Sequence, residues 1–194
     1  MPRVMIVIAS VRDGRSGLAI GEWVKEAVTN DGRFEIDWAD LKEIDLPLMT
    51  EPNHPRLRQY TQQQTRDWSE RVDAADAFIF VQAEYNFSYI ASLKNALDYL
   101  SQEWWRKPLG SVSYGGVSGG TRAVTALRAP VVALGLVPTT ANVEIPFAAK
   151  QLNDGLFEPT EQQAAVLHNQ LNELLELGAA LEPLREAHQA SARG

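Results

Sequence analysis

The sequence predicts an α/β fold built on a parallel sheet, and three observations carry that expectation. Strand-like and helix-like stretches alternate from one end of the chain to the other. Ala77-Phe78-Ile79-Phe80-Val81 is an unbroken apolar run, which fits a strand buried on both faces. Directly after it, Leu93, Ala96, Leu97 and Leu100 recur at the spacing of one helical face. The stretch between them, Glu84-Tyr85-Asn86-Phe87-Ser88, therefore falls at the carboxyl end of a buried strand, where open α/β sheets bind ligands.

The other elements follow in order. Residues 3–10 read as the first strand. Ile20, Trp23, Val24 and Ala27 give the next helix its buried face, and Asp31-Gly32 closes it. Residues 34–39 form a second strand, polar enough to lie near an edge. Residues 41–55 hold three prolines and read as a loop. Pro55 suits the first position of a helix whose face is Leu57, Tyr60, Trp68, Val72 and Ala75. Residues 109–114 are the fourth strand. Gly119-Gly120 then opens a helix with Val124, Leu127, Val131 and Leu134 inward. Pro130 should kink or shorten it, and Gly135 fits the residue just past its C-cap. Residues 137–145 are the fifth strand. Thr160 with Gln163 forms a capping box for the last helix, faced by Leu167, Leu171, Leu174, Leu175 and Leu181. Pro183 is expected to end that helix, leaving 184–194 as a frayed tail on a single domain, 1–194. Five strands with crossover helices predict the sheet order 2-1-3-4-5 between two helical layers.

Composition narrows the function. The 194 residues suit one domain, and a 45% hydrophobic share can bury a real core. No apolar run reaches the roughly 20 residues that span a bilayer. The N-terminal stretch runs straight into a strand with no cleavage-site pattern, so a cytoplasmic location is expected. The absence of cysteine removes thiolate catalysis and thiolate metal sites. A net charge of −7 without a basic cluster argues against nucleic acid as a partner. His54, His168 and His188 are scattered without ligand spacing, so no metal site is expected.

In this sheet order the loops after strands one, three and four meet at one edge. Loop one, Ser10-Val11-Arg12-Asp13-Gly14-Arg15-Ser16-Gly17, runs into a helix N-terminus, where free N–H groups and the helix dipole favour an anion. Ser10 and Ser16 add hydroxyls; Arg12 and Arg15 add guanidinium groups suited to a phosphate. It matches neither the Walker loop nor the dinucleotide fingerprint, and Asp40 has no motif to place it on a ribose. Loop three, Ser113-Tyr114-Gly115-Gly116-Val117-Ser118-Gly119-Gly120-Thr121-Arg122, has four glycines that let the backbone approach a flat ligand closely. Tyr85 in loop two can stack on a ring. A phosphorylated planar cofactor fits all three loops, and FMN fits best.

With those loops read, the chain resembles the NADPH-dependent FMN reductase family. The matching residues are Ser10-Val11-Arg12 with Arg15-Ser16; Glu84-Tyr85-Asn86 with Leu93-Lys94-Asn95-Ala96-Leu97-Asp98; and Tyr114-Gly115-Gly116 with Gly119-Gly120-Thr121-Arg122-Ala123. The resemblance implies a flavodoxin-like three-layer sandwich, bound FMN, NADPH or NADH as co-substrate, a small-molecule acceptor, and homodimers or homotetramers. It places the phosphate on residues 10–18, so that Gly17 and Leu18 join Ser10, Arg12, Arg15 and Ser16. It places the isoalloxazine on Glu84, Tyr85, Asn86, Phe87, Ser113, Tyr114, Gly115, Gly116, Ser118 and Gly119. The family usually has glycine before Ser10 and proline where Ala83 stands. It often has glycine at Phe87 and Pro-Gly at Ile90-Ala91, so loop two here departs from the pattern.

The hydride chemistry would belong to the flavin, so no residue is assigned as catalytic acid, base or nucleophile. Flavin, quinone, azo compound or oxidised metal ion could each serve as acceptor. The rival class is a flavodoxin-type electron carrier without turnover of its own. The adjacent pair Trp104-Trp105 cannot face one thin core together, which leaves aromatic surface for a second copy.

Overall fold

The computed structural model describes residues 1–192, with side chains through 187. Strands β1 (Arg3–Ile8), β2 (Glu35–Asp40), β3 (Ala77–Ala83), β4 (Pro108–Tyr114) and β5 (Val137–Pro138) pair in parallel in the order β2-β1-β3-β4-β5. Every residue of β3 and β4 is buried, as expected of central parallel strands, whereas β2 sits at the edge and is buried only at its last two residues, Ala39 and Asp40. A short β6 (Val143–Ile145) also pairs with β4.

The expected fifth strand is thus two pieces, and the reason lies outside the strand. Glu173 accepts hydrogen bonds from the Thr140 and Ala141 N–H groups at 2.6 and 3.1 Å and from the Thr140 hydroxyl at 2.6 Å. The Gln170 amide donates to the carbonyls of Ser111 and Ala141 at 3.0 and 2.7 Å. Backbone groups of 140–141 that would otherwise join the ladder are therefore taken by side chains.

Both residues belong to α6 (Glu161–Ala192), which lies against β4, β6 and α1 (Ser16–Asp31). On the other face, Trp68 of α3 (Gln63–Asp73) donates to the Ala96 carbonyl of α4 (Ala91–Asp98) at 3.0 Å. Trp68, Trp104, Phe78 and Phe80 form one aromatic cluster, with ring centroids 5.0–6.3 Å apart. Between β2 and α3 lie a single helical turn, α2 (Leu41–Ile44), and a 3₁₀ turn at Pro55–Leu57. Pro55 therefore starts a separate turn and not α3, because Arg58 adopts a left-handed backbone that stops it.

Two local motifs form as their sequences predict. Thr160 and Gln163 exchange reciprocal bonds at 2.8 and 3.2 Å. Gly135 (φ 75°) ends α5 (Thr121–Ala133) in a Schellman arrangement, with the Leu136 N–H on Val131 and its own N–H on Val132. Pro130 lies in the last turn of α5, which ends three residues later at Ala133.

Pro183 does not end α6. The helix runs on through it, and the turn beyond is pinned by Arg185 donating to the Arg106 carbonyl at 3.0 Å. Residues 184–192 are therefore helical where a frayed tail was expected; 193–194 lie outside the described residues. No helix among the described residues is long and apolar enough to cross a membrane.

Candidate cofactor site

Loops one, two and three converge at the carboxyl ends of β1, β3 and β4, and side chains tie them together. Loop one carries the N-terminus of α1. The N–H groups of Val11 through Ser16 meet no protein acceptor among the described residues, as expected where a helix begins without a side-chain cap. Ser10 is fully buried, and its hydroxyl, beside that of Tyr114, lacks a partner of good geometry. A Cβ added at Gly17 would stand 2.4 Å from Ser10 Oγ and 2.5 Å from the Tyr114 hydroxyl oxygen, so only glycine allows this approach. Burial pushes the Tyr114 phenol up to about 12. It is therefore a neutral donor at ordinary pH. Leu18 is exposed at the rim, and Ser16 is the first residue of α1 without capping it.

The two arginines of loop one separate. Arg12 is exposed, with its guanidinium 5.8 Å from the centre of the Tyr85 ring. Arg15 is instead locked in a bidentate ion pair with Asp40; their side chains are 8% and 0% exposed. Its Nη1 reaches Asp40 Oδ1 at 2.7 Å and the Ser10 carbonyl at 2.5 Å. Asp40 Oδ1 also accepts the Lys42 N–H at 2.9 Å, capping α2. Asp40, which carried no role in the sequence reading, is thus the anchor of loop one. The signal was available: β1 and β2 are neighbours with Ile8 beside Asp40 in register, so a residue just past β1 lies near it.

Loop two is a tight hairpin. Tyr85 and Ser88 exchange backbone bonds at 3.0 Å each, and both central residues have positive φ, 52° at Asn86 and 66° at Phe87. That is the geometry of a type I′ turn, which glycine suits at the second position. Phe87 occupies it at a conformational cost and remains 67% exposed. The Arg122 guanidinium lies 4.0 Å above its ring. Arg122 is held in turn by Glu84, through an Nε–Oε1 pair at 3.0 Å and an N–H bond at 3.2 Å. Glu84 Oε2 also accepts the Ser118 hydroxyl at 2.8 Å. Glu84 and Ser118 therefore crosslink loops two and three.

Loop three is folded tightly on itself. Ser113 is buried and donates to the Gly119 carbonyl at 2.9 Å. A Cβ at Gly120 (φ 88°) would stand 2.7 Å from the Tyr114 nitrogen, a backbone atom that cannot yield. Gly119 and Gly115 also pack closely, whereas Gly116 is open and its N–H, like that of Val117, has no protein acceptor among the described residues. Behind the loops, Asn95 fixes the proline-rich segment after α2. It accepts the Met49 N–H at 3.0 Å and donates to the Pro47 carbonyl at 2.7 Å. No cluster of three or more metal-ligating side chains occurs among the described residues; His54 and His168 are exposed, and the side chain of His188 lies outside them.

A parallel sheet of this order, with three loops meeting at one switch point, is the flavodoxin-like fold. The chain belongs to the NADPH-dependent FMN reductase family, whose model matches residues 2–150. It is 40% identical over 121 residues to an NAD(P)H-dependent FMN reductase of Schizosaccharomyces pombe, covering 61% of this chain and 60% of that protein. It is 43% identical over 107 residues to an NADPH:quinone oxidoreductase of Arabidopsis thaliana, covering 54% and 51%. The chain thus spans less than two thirds of either relative. Among solved structures, a flavoenzyme NAD(P)H:(acceptor) oxidoreductase from Paracoccus denitrificans superposes with a TM-score of 0.75 at 20% identity, over 93% of this chain and 99% of that one.

The matching family model is described as NADPH-dependent FMN reductase, which makes FMN the group to weigh against these loops. The donors present fit such a group. A row of unpaired N–H groups, the buried Ser10 hydroxyl beside the Tyr114 phenol and one exposed arginine suit a phosphate, and the open backbone of Gly116-Val117 suits the edge of a flat ring.

Proposed function

We propose that this chain passes hydride from NADPH or NADH, by way of FMN, to a small diffusible acceptor, with quinones as the favoured class. The observation that supports this most is the division of labour among the loops: Glu84, Arg122 and Ser118 are spent on each other, while the donors of loop one and Gly116-Val117 remain available. FMN supplies the hydride-accepting and hydride-donating chemistry when bound. Arg12, Ser10 and the loop-one N–H groups hold the phosphate. Arg15, turned toward Asp40, shapes the loop without touching the ligand. Tyr85 and the Asn86–Phe87 turn position the ring. The Gly116 and Val117 N–H groups donate where negative charge gathers on reduction. Glu84 uses its carboxylate to hold Arg122 and Ser118, and no side chain is assigned as acid or base.

A homodimer or homotetramer belongs to the same proposal. Trp104 is buried in the core, while Trp105 packs against Gly135 and remains 38% exposed. The quinone preference draws on the name of the Arabidopsis relative and on the exposed aromatic ring beside the site.

The deciding measurement is anaerobic stopped-flow spectroscopy with NADPH and NADH. Bound FMN is expected to bleach far faster than free FMN with at least one donor. If neither donor does so, the reductase reading gives way to an electron carrier.

A further inference from the structure

Loop three is bracketed by two exposed phenylalanines, and only one of them, Phe87, is marked in the sequence. The other is Phe147, just past β6. Its N–H donates to the Gly116 carbonyl at 2.9 Å, and the next N–H, of Ala148, donates to the Gly115 carbonyl at 3.3 Å. A Cβ at Gly119 would lie 3.2 Å from the Pro146 nitrogen, so the chain at Phe147 runs tightly along loop three.

The two phenylalanines share four features. Each has a left-handed backbone, φ 66° at Phe87 and 50° at Phe147. Each ring is exposed, at 67% and 49%. Each has a cation over it, Arg122 at 4.0 Å and Lys150 at 5.1 Å. Each is fixed to loop three, Phe147 by its own N–H and Phe87 through Arg122 and Glu84. Val117, 74% exposed, stands at the tip of the loop between these two attachments.

A bulky residue with positive φ carries a steric cost that glycine would not. An apolar ring left in water forgoes burial as well. Both costs are carried twice, at the same loop, with no core packing in return. Strained, exposed aromatic residues held in place by their surroundings point to a role toward a ligand.

We propose that Phe147 is a specificity-determining residue, which with Phe87 forms the walls that grip a flat aromatic acceptor beside loop three. This rests on the reductase reading above and adds to it a residue that selects the acceptor. Ring faces select planar, polarisable molecules over compact hydrated ones. Arg122 and Lys150 place positive charge next to the slot. In the overall reaction a quinone takes one hydride and one solvent proton to become a hydroquinone, while the nicotinamide is oxidised by loss of that hydride. Two electrons leave the donor and two arrive, and the quinone oxygens gain electron density near those cations.

The test uses the FMN-loaded protein with Phe147→Gly and, as the conservative change, Phe147→Tyr. Glycine tolerates φ 50°, so Phe147→Gly should fold with an unchanged or higher thermal midpoint. The reoxidation rate constant with menadione, divided by that with ferricyanide, should fall about tenfold in Phe147→Gly and recover in Phe147→Tyr. Affinity for 2-naphthol, a planar probe that accepts no hydride, should fall about fivefold in Phe147→Gly, read by fluorescence titration of the apo and FMN-loaded forms. An unchanged menadione-to-ferricyanide ratio, a drop in thermal midpoint, or a shift in sedimentation coefficient would each overturn the proposal, the last by making Phe147 a contact between copies. Failure of the reductase reading shows elsewhere, as a wild-type chain whose FMN is not bleached by reduced nicotinamide.

Discussion

Arg15→Ala should destabilise the apo chain by about 3–5 kcal/mol, far more than its position in a surface loop suggests. The reason is Asp40. Its carboxylate is fully buried and is neutralised by a bidentate guanidinium that is itself 8% exposed. Without Arg15 the one bond left to that carboxylate among the described residues is from the Lys42 N–H at 2.9 Å. A lone buried carboxylate loses its hydration with too little in exchange. The Ser10 carbonyl would lose its 2.5 Å bond as well, and loop one would loosen at the end of β1. Urea unfolding of the apo protein gives the measurement: the midpoint should fall with the slope unchanged. The double replacement Arg15→Met with Asp40→Leu should recover most of the loss, because an apolar pair of similar volume needs no desolvation. A single-variant loss under about 1 kcal/mol would place the pair with ordinary surface ion pairs and refute the anchoring role.

The contrast between what could and could not be read in the chain follows the range of the interactions. The buried strand at Ala77, the capping box at Thr160 and the turn after α5 are set by neighbours a few residues away, and all three form as expected. The convergence of three loops follows from the sheet order, itself fixed by element alternation. The misses are tertiary. β5 and β6 are separated because Glu173 and Gln170, about 30 residues later, take the backbone of 140–141. α6 outlasts Pro183 with Arg185 tethered to a carbonyl 79 residues earlier. Arg15 and Arg12 carry equal promise as phosphate ligands in the sequence; only the buried Asp40 divides them. Phe147 left no local sign because its strain is visible only in the backbone angle.

That division of the arginines gives the sharpest test of the cofactor site. The wild-type chain should bind FMN well over tenfold more tightly than riboflavin, which lacks the phosphate, since each charge-assisted bond is worth about 1.5–3 kcal/mol and 1.4 kcal/mol is tenfold. Arg12→Ala should erase roughly tenfold to a hundredfold of FMN affinity and leave riboflavin affinity nearly unchanged. Its effect on apo stability should stay within about 0.5 kcal/mol, because Arg12 is exposed and its one ring contact, to Tyr85, is 5.8 Å long. The remaining preference for FMN in that variant reports the helix N-terminus and the N–H groups of Val11 through Ser16, which no side-chain change removes. Both affinities come from fluorescence titration at two salt concentrations, and the Arg12 contribution should shrink at the higher one because the side chain is open to solvent. Equal affinity of the wild type for FMN and riboflavin would remove the phosphate from loop one. An Arg12→Ala variant that weakens both ligands alike would instead place that side chain on the ring, through its stack on Tyr85.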